Sequence, residues 1–321
     1  MTLTAWIRSI TDRLERGPRR PPFRDLKPTV EWQVNGICNY DCSYCIQSRA
    51  SRTGAPTRQM VDRIIDGLAR LPDVWEIKMS GGEPFAFAGL MDWVIPGLMD
   101  RTCHQISILT NFSAPLKVLE RFCALTGDRL RITSASFHPE RTGIEEFIDK
   151  AIAYRALRER NNPRSSFVVN AVLIPGRVAE HILIRDRLRA CELSYFPQLM
   201  KIKGGVYPYN REERSLIERL TEGSHDPNRV NRAPSYRGLH CEAGAWYFVI
   251  DQHGEAFTCR TGKRFLDEDH SARMGNIAEG SFARRSAGEL CPYPICPCTV
   301  PVNRGIVRIP AEHDTGAEHG I

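Results

Sequence analysis

The chain has 321 residues, 42% apolar and 26% charged, which is ordinary usage for a folded chain with a substantial core and excludes whole-chain disorder, a collagen-like repeat and a coiled coil. Lys and Arg (44) exceed Asp and Glu (38) by 6, a balance that suits an anionic ligand and falls short of a nucleic-acid-binding surface. The 11 cysteines are the outlier, since the chain is too long for a disulfide-stapled miniature domain and their number is odd.

In residues 1–27, Trp6, Ile7, Ile10 and Leu14 fall at helical spacing ahead of the breaker Gly17-Pro18-Arg19-Arg20-Pro21-Pro22, predicting a short helix packed on the body of the protein and a stiff linker. No apolar run is long enough to span a membrane and no secretory h-region opens the chain, so the expected location is the cytoplasm, where thiols stay reduced. From residue 28 to 203, short β-branched runs alternate with helical periodicity. The predicted strands are Val30–Val34, Glu76–Ser80, Ile106–Thr110, Arg131–Ser136, Phe167–Leu173 and Leu193–Met200. Six βα units predict an α/β fold, a partial (β/α)6 TIM-like barrel, with an open doubly wound sheet as the alternative. Either arrangement puts chemistry at the C-terminal ends of the strands.

A bridging segment, 204–237, contains a predicted helix over Arg211–Leu220. A small cysteine-rich hairpin and helix extension follows over 238–300. Its hairpin pairs Trp246–Ile250 with Glu255–Thr258 around Asp251-Gln252-His253-Gly254, where Asp and Gly supply the turn chemistry. Residues 301–321 read as a tail.

Directly after the first strand comes Cys38-Asn39-Tyr40-Asp41-Cys42-Ser43-Tyr44-Cys45. Three soft thiolates on one loop suit zinc or an iron–sulfur cluster, but zinc usually takes a fourth protein ligand and none is close in sequence. A [4Fe–4S] cluster held by only three cysteines keeps one iron open for an exogenous chelating group. Ser80-Gly81-Gly82-Glu83-Pro84 follows the second strand. The two motifs together resemble the radical S-adenosylmethionine (SAM) superfamily.

That resemblance implies that the open iron binds the amino and carboxylate groups of SAM and that Gly81, Gly82 and Glu83 contact its amino group. It also implies that Tyr44 lies near the adenine and that Asn111, Ser136 and Asn170 surround the carboxylate and ribose. Where the family often has Asn-Gly after the third strand, this chain has Asn111-Phe112. His138 follows the fourth strand on the same side, as a contact to substrate or SAM or simply as a turn residue before Pro139. Lys201 and Lys203 end the sixth strand, facing an anionic or hydroxylated substrate or the solvent.

The second group is Cys241, Cys259, Cys291, Cys296 and Cys298. Cys241, twelve residues, Gly254, four residues and Cys259 resemble the C-terminal SPASM and Twitch extensions of the same superfamily. Five cysteines favour the Twitch type with one auxiliary [4Fe–4S] cluster, and a structural zinc ribbon is the alternative. If four ligate, one thiol is left to donate a hydrogen atom to a carbon radical; otherwise all five ligate or one is buried. Cys103, Cys123 and Cys191 read as core cysteines.

The resemblance implies an enzyme that takes an electron from a donor such as flavodoxin or ferredoxin, splits SAM to a 5′-deoxyadenosyl radical and removes a hydrogen atom from its substrate. The 27 residues ahead of the barrel are short for a leader-peptide-binding domain. A small polar metabolite of sugar or aminocyclitol type is therefore expected, giving epimerisation or dehydrogenation in a biosynthetic pathway. Modification of a ribosomal peptide is the enzymatic alternative, and a metal-stabilised binding module the non-enzymatic one. No basic stretch with interleaved aromatics points to nucleic acid.

Overall fold

The computed structural model describes residues 26–47, 52–202, 205–265 and 270–309. The predicted N-terminal helix and Lys203 lie outside them. Six strands, β1 (Thr29–Gln33), β2 (Glu76–Ser80), β3 (Gln105–Thr110), β4 (Leu130–Ser136), β5 (Ser166–Leu173) and β6 (Tyr195–Leu199), pair consecutively and all in parallel. Helices Arg58–Ala69, Ile95–Arg101, Leu116–Thr126, Ile144–Asn161 and Glu180–Ala190 make the crossovers. The first helix shows why they form. Thr57 caps it by accepting from the Met60 N–H at 3.2 Å, and Val61, Ile64, Ile65 and Leu68, at helical spacing, are all fully buried.

The five earlier strands lie where the sequence put them, within a residue. The sixth begins later than expected because Glu192 takes a left-handed φ of 55° and turns the chain there.

Beyond β6, β7 (Lys201–Ile202) and β8 (Gly205–Val206) form a short hairpin, and β9 (His240–Cys241) pairs with β13 (Glu289–Leu290). Three further strands, β10 (Tyr247–Ile250), β11 (Glu255–Phe257) and β12 (Arg273–Asn276), do not form a sheet of their own. β10 runs parallel to β1, register Thr29 to Tyr247, so one nine-stranded sheet runs β12-β11-β10-β1-β2-β3-β4-β5-β6. The barrel is not closed: β6 and β12 are its edges. The predicted hairpin is β10–β11, whose turn is held by Asp251 accepting from the His253 and Glu255 N–H groups at 2.9 and 3.2 Å.

Side chains along β1 alternate. Val30, Trp32 and Val34 are fully buried in the core. Glu31 and Gln33 lie on the opposite, inner face and meet residues from the extension. The inner face of β2 begins with Glu76, which is 3% exposed. It accepts from Ser107 Oγ at 2.6 Å and from Arg304 at 2.9 Å, and it pairs with Arg131 at 3.1 Å. Arg304 follows the short helix Val300–Asn303, and Ile306 and Val307 beside it are buried. Residues 301–309 are therefore not tail: they close the N-terminal end of the barrel, because a buried Glu76 needs a cation.

Candidate active site and auxiliary cysteine cavity

The loop carrying Cys38, Cys42 and Cys45 leaves the C-terminal end of β1 and is fixed by backbone contacts. Val34 N–H donates to Ser80 O at 2.8 Å, Gly82 N–H to Asn35 O at 3.1 Å and Glu83 N–H to Ile37 O at 2.7 Å. This approach requires Gly81 and Gly82. A Cβ on Gly82 would lie 2.1 Å from Ile37 O, and one on Gly81 2.4 Å from Asn35 O. The glycines thus seat the cysteine loop on the end of β2. Glu83 is buried, and its carboxylate accepts from Phe85 N–H (3.0 Å), Thr110 Oγ1 (2.7 Å) and Asn111 N–H (2.6 Å). Burial pushes its pKa up to about 7 against these donors.

Asn111 joins β3 to the loop. Its amide nitrogen donates to Asn39 Oδ1 at 2.8 Å and points at Cys38 Sγ, 4.0 Å away. The Tyr40 N–H donates to the same sulfur at 3.4 Å. Phe112 adopts the left-handed φ of 61° that a glycine would take without cost. Its ring compensates by packing, 2% exposed, against Phe147, Tyr154 and Phe167. We expect Phe112→Gly to lose about 2 kcal/mol, because relief of ~1–2 kcal/mol of backbone strain only partly offsets the ~3–5 kcal/mol lost with a buried aromatic ring. Phe112→Ala should lose more, and urea unfolding of the three proteins gives the order.

His138 lies against the same loop. Its Nδ1 is 2.8 Å from the Tyr44 hydroxyl and 3.4 Å from Cys42 Sγ, and its ring stacks on Tyr44. Burial pushes His138 down to about 4, so the imidazole is neutral at pH 7. Ser43 donates through Oγ and N–H to Glu140 at 2.5 and 2.9 Å, fixing the far side of the loop. On the inner face of β4 to β6, Asn170 Oδ1 accepts from Ser136 Oγ and from Gln198 Nε2, both at 2.9 Å, and Asn170 Nδ2 donates to Ser134 Oγ at 3.0 Å. The sequence reading misses both Ser134 and Gln198: Ser134 alternates with Ser136 along β4, whereas Gln198 sits between Pro197 and Leu199 with no such signal.

Donor chemistry fits an iron–sulfur centre on the loop: three reduced thiols, one of them receiving an N–H, beside an open strand end. Among the described residues no trio of His, Cys, Asp or Glu is closed to the spacing of a single metal ion.

The five C-terminal cysteines converge. Cys241, Cys259, Cys291, Cys296 and Cys298 all line one cavity, and all five are free thiols. Burial pushes Cys241 and Cys259 up to about 12, so the cavity is costly for bare thiolates and suits a cationic centre that would deprotonate them. The Cys296-Pro297-Cys298 turn is held from the barrel side. Asn231 Nδ2 donates to Pro297 O at 3.2 Å, and the Leu199 N–H of β6 donates to Asn231 O at 3.2 Å. Cys298 faces the inner side of the sheet, 3.9 Å from Glu31 Oε1 and 3.8 Å from the Tyr247 hydroxyl.

Residues 32–185 match the model of the Radical SAM superfamily. This segment is a radical SAM domain. Its span runs from β1 into the helix Glu180–Ala190 and contains both the cysteine loop and the Gly81-Gly82-Glu83 strand end. Among solved structures the chain resembles anSMEcpe with bound AdoMet and the Cp18Cys peptide (14% identity, 79% of each chain, TM-score 0.54). It also resembles Streptococcus suis SuiB bound to the precursor peptide SuiA (13% identity, 80% of this chain and 64% of that one, TM-score 0.58). At such identities the likeness is one of fold. No curated protein matches the chain.

The remaining sequence expectations are mixed. Cys123 is a core cysteine, buried with its thiol 3.5 Å from the Tyr154 hydroxyl. Cys103 is exposed in the segment that enters β3 and is not a core residue, whereas Cys191, at the end of the helix Glu180–Ala190, is half-buried and packs against the core. Lys201 lies near Cys298 and Cys296, its pKa pushed down to about 8 by burial. No helix among the described residues is long and apolar enough to cross a membrane.

Proposed function

We propose that this radical SAM enzyme acts on a small polar metabolite of sugar or aminocyclitol type and uses an auxiliary iron–sulfur centre in the five-cysteine cavity, of the Twitch kind. The observation that carries the proposal is that single cavity, lined by all five C-terminal thiols, of which Cys298 lies 3.9 Å from Glu31 on the inner face. When bound, the cluster on Cys38, Cys42 and Cys45 supplies the electron that splits SAM to the 5′-deoxyadenosyl radical, which takes a hydrogen atom from the substrate.

The chain's own residues do the rest. Glu83, Asn111 and the two glycines hold the loop, while Tyr44, Ser136 and Asn170 are our candidates for contacts to SAM. Ser134, Asn170 and Gln198 offer a wall of amide and hydroxyl groups suited to a hydroxylated substrate. Epimerisation requires a second hydrogen atom, and of the three late cysteines Cys298 is the one placed against the inner face to give it. Dehydrogenation instead requires the substrate radical to lose one electron and one proton, with the auxiliary centre as electron acceptor. Electrons would enter from a flavodoxin or ferredoxin in the cytoplasm. Peptide modification is the second reading, favoured by the peptides bound to anSMEcpe and SuiB.

Anaerobic reconstitution should give a brown protein with about eight irons and eight sulfides per chain, and Cys241→Ser/Cys259→Ser about four of each. An iron-free, colourless preparation defeats the reading and leaves the zinc module. Metabolites and peptides are then screened for 5′-deoxyadenosine formation. In deuterated water an isomeric product with one deuterium marks epimerisation, and a product lighter by two hydrogens marks dehydrogenation. Turnover of peptides alone selects the second reading.

A further inference from the structure

The short helix Arg260–Arg264 begins at Cys259, whose sulfur caps it by accepting from the Gly262 N–H at 3.2 Å. While Cys259 faces the thiol cavity, Arg260 and Lys263 reach into the barrel. The Arg260 guanidinium pairs through Nε with Glu31, and its Nη2 donates to Ser80 Oγ at 3.1 Å. Lys263 Nζ donates to Gln33 Oε1 at 2.6 Å and pairs with Asp251 at 3.4 Å. Glu31 is fully buried and also accepts from the Tyr247 hydroxyl at 2.8 Å.

The places gripped are specific. Gln33 is the last residue of β1 and Ser80 the last of β2, and between them these two ends carry the cysteine loop and the two glycines that seat it. A buried carboxylate such as Glu31 does not readily release its cation, so a displacement of Cys259 is passed on to the strand ends.

We propose that this helix is a coupling element through which the auxiliary centre sets the geometry of the SAM site, with Arg260 as the positioning residue. The proposal rests on the reading of the five-thiol cavity as an auxiliary centre. A filled cavity fixes Cys259 and hence the direction of the helix. Arg260 and Lys263 then hold the ends of β1 and β2 in the spacing that the Cys38–Cys45 loop needs to receive SAM.

The test measures three things on the anaerobically reconstituted full chain: iron per chain, the SAM dissociation constant by equilibrium dialysis, and the change that SAM makes in the EPR spectrum of the reduced protein. Arg260→Gln should weaken SAM about tenfold, the loss of a charged hydrogen-bond donor, and blunt the EPR response, while keeping the wild-type iron. Arg260→Lys, which retains the charge, should stay within about threefold of wild type.

Because Arg260→Gln leaves Glu31 buried without its cation, the double variant Glu31→Gln/Arg260→Gln separates stability from positioning. Its melting temperature should recover while SAM affinity stays low. Cys259→Ser should lose about four irons and weaken SAM to a similar degree. An iron-replete double variant that binds SAM within about twofold of wild type overturns the proposal alone. A wild type that holds only about four irons overturns the auxiliary-centre reading and the proposal with it.

Discussion

Replacing Cys38, Cys42 and Cys45 together by Ala is expected to leave a folded protein that has lost about four irons and forms no detectable 5′-deoxyadenosine. The fold should survive because the thiols do not hold the loop: its register is set by Val34, Gly82 and Glu83 backbone donors and by the Glu140 carboxylate. Cys45 is already exposed, so its removal opens no cavity. Chemistry should vanish because no other sulfur lies on this loop. Circular dichroism, iron content and chromatographic detection of 5′-deoxyadenosine make the comparison. Residual SAM cleavage in the variant contradicts the assignment of the loop.

The second large effect is expected from a single methyl group. Gly82→Ala would place a Cβ 2.1 Å from Ile37 O and 2.5 Å from Gly36 O, both backbone atoms that cannot rotate away. Overpacking of this kind costs about 1–3 kcal/mol when neighbours yield, and here what yields is the loop that bears the cysteines. The variant should therefore lose the loop-bound irons and at least about tenfold in SAM affinity, with smaller losses elsewhere. Gly143→Ala, whose added Cβ has nothing within 4 Å, serves as the control and should behave as wild type. A Gly82→Ala protein with full iron and normal SAM binding removes the seating role of the glycines.

Much of this architecture was legible because it is local. Alternating runs such as Val30, Trp32 and Val34 and helical spacings such as Val61, Ile64, Ile65 and Leu68 are written in adjacent residues, and the cysteine loop and Gly81-Gly82 follow strands by chain order alone. Pairing between distant segments is not written that way. The hairpin Tyr247–Phe257 was recognisable by its turn, but nothing in its own sequence says that it lies parallel to β1. The partnership of Glu31 with Arg260 is invisible for the same reason, although a Glu in the middle of an apolar strand is a signal that a cation must come from elsewhere.

Phe112 shows the opposite limit. The residue argued against a left-handed turn, and the turn formed because distant aromatic rings accommodate its side chain. The residues 301–309 looked like tail from composition, and Glu76 recruits Arg304 from them.

The parallel pairing of β10 with β1 also orders events in time as the chain is made. A ribosome delivers β1 more than two hundred residues before its outer neighbour, since Thr29 pairs with Tyr247, and Arg304 reaches Glu76 later still. Throughout that interval one edge of the first strand has no partner, and an unpaired parallel edge is both slow to satisfy and prone to recruit the wrong strand. A nascent chain of this protein thus carries that open edge until Tyr247 has been delivered, long after the residues that seat the cysteine loop have been made.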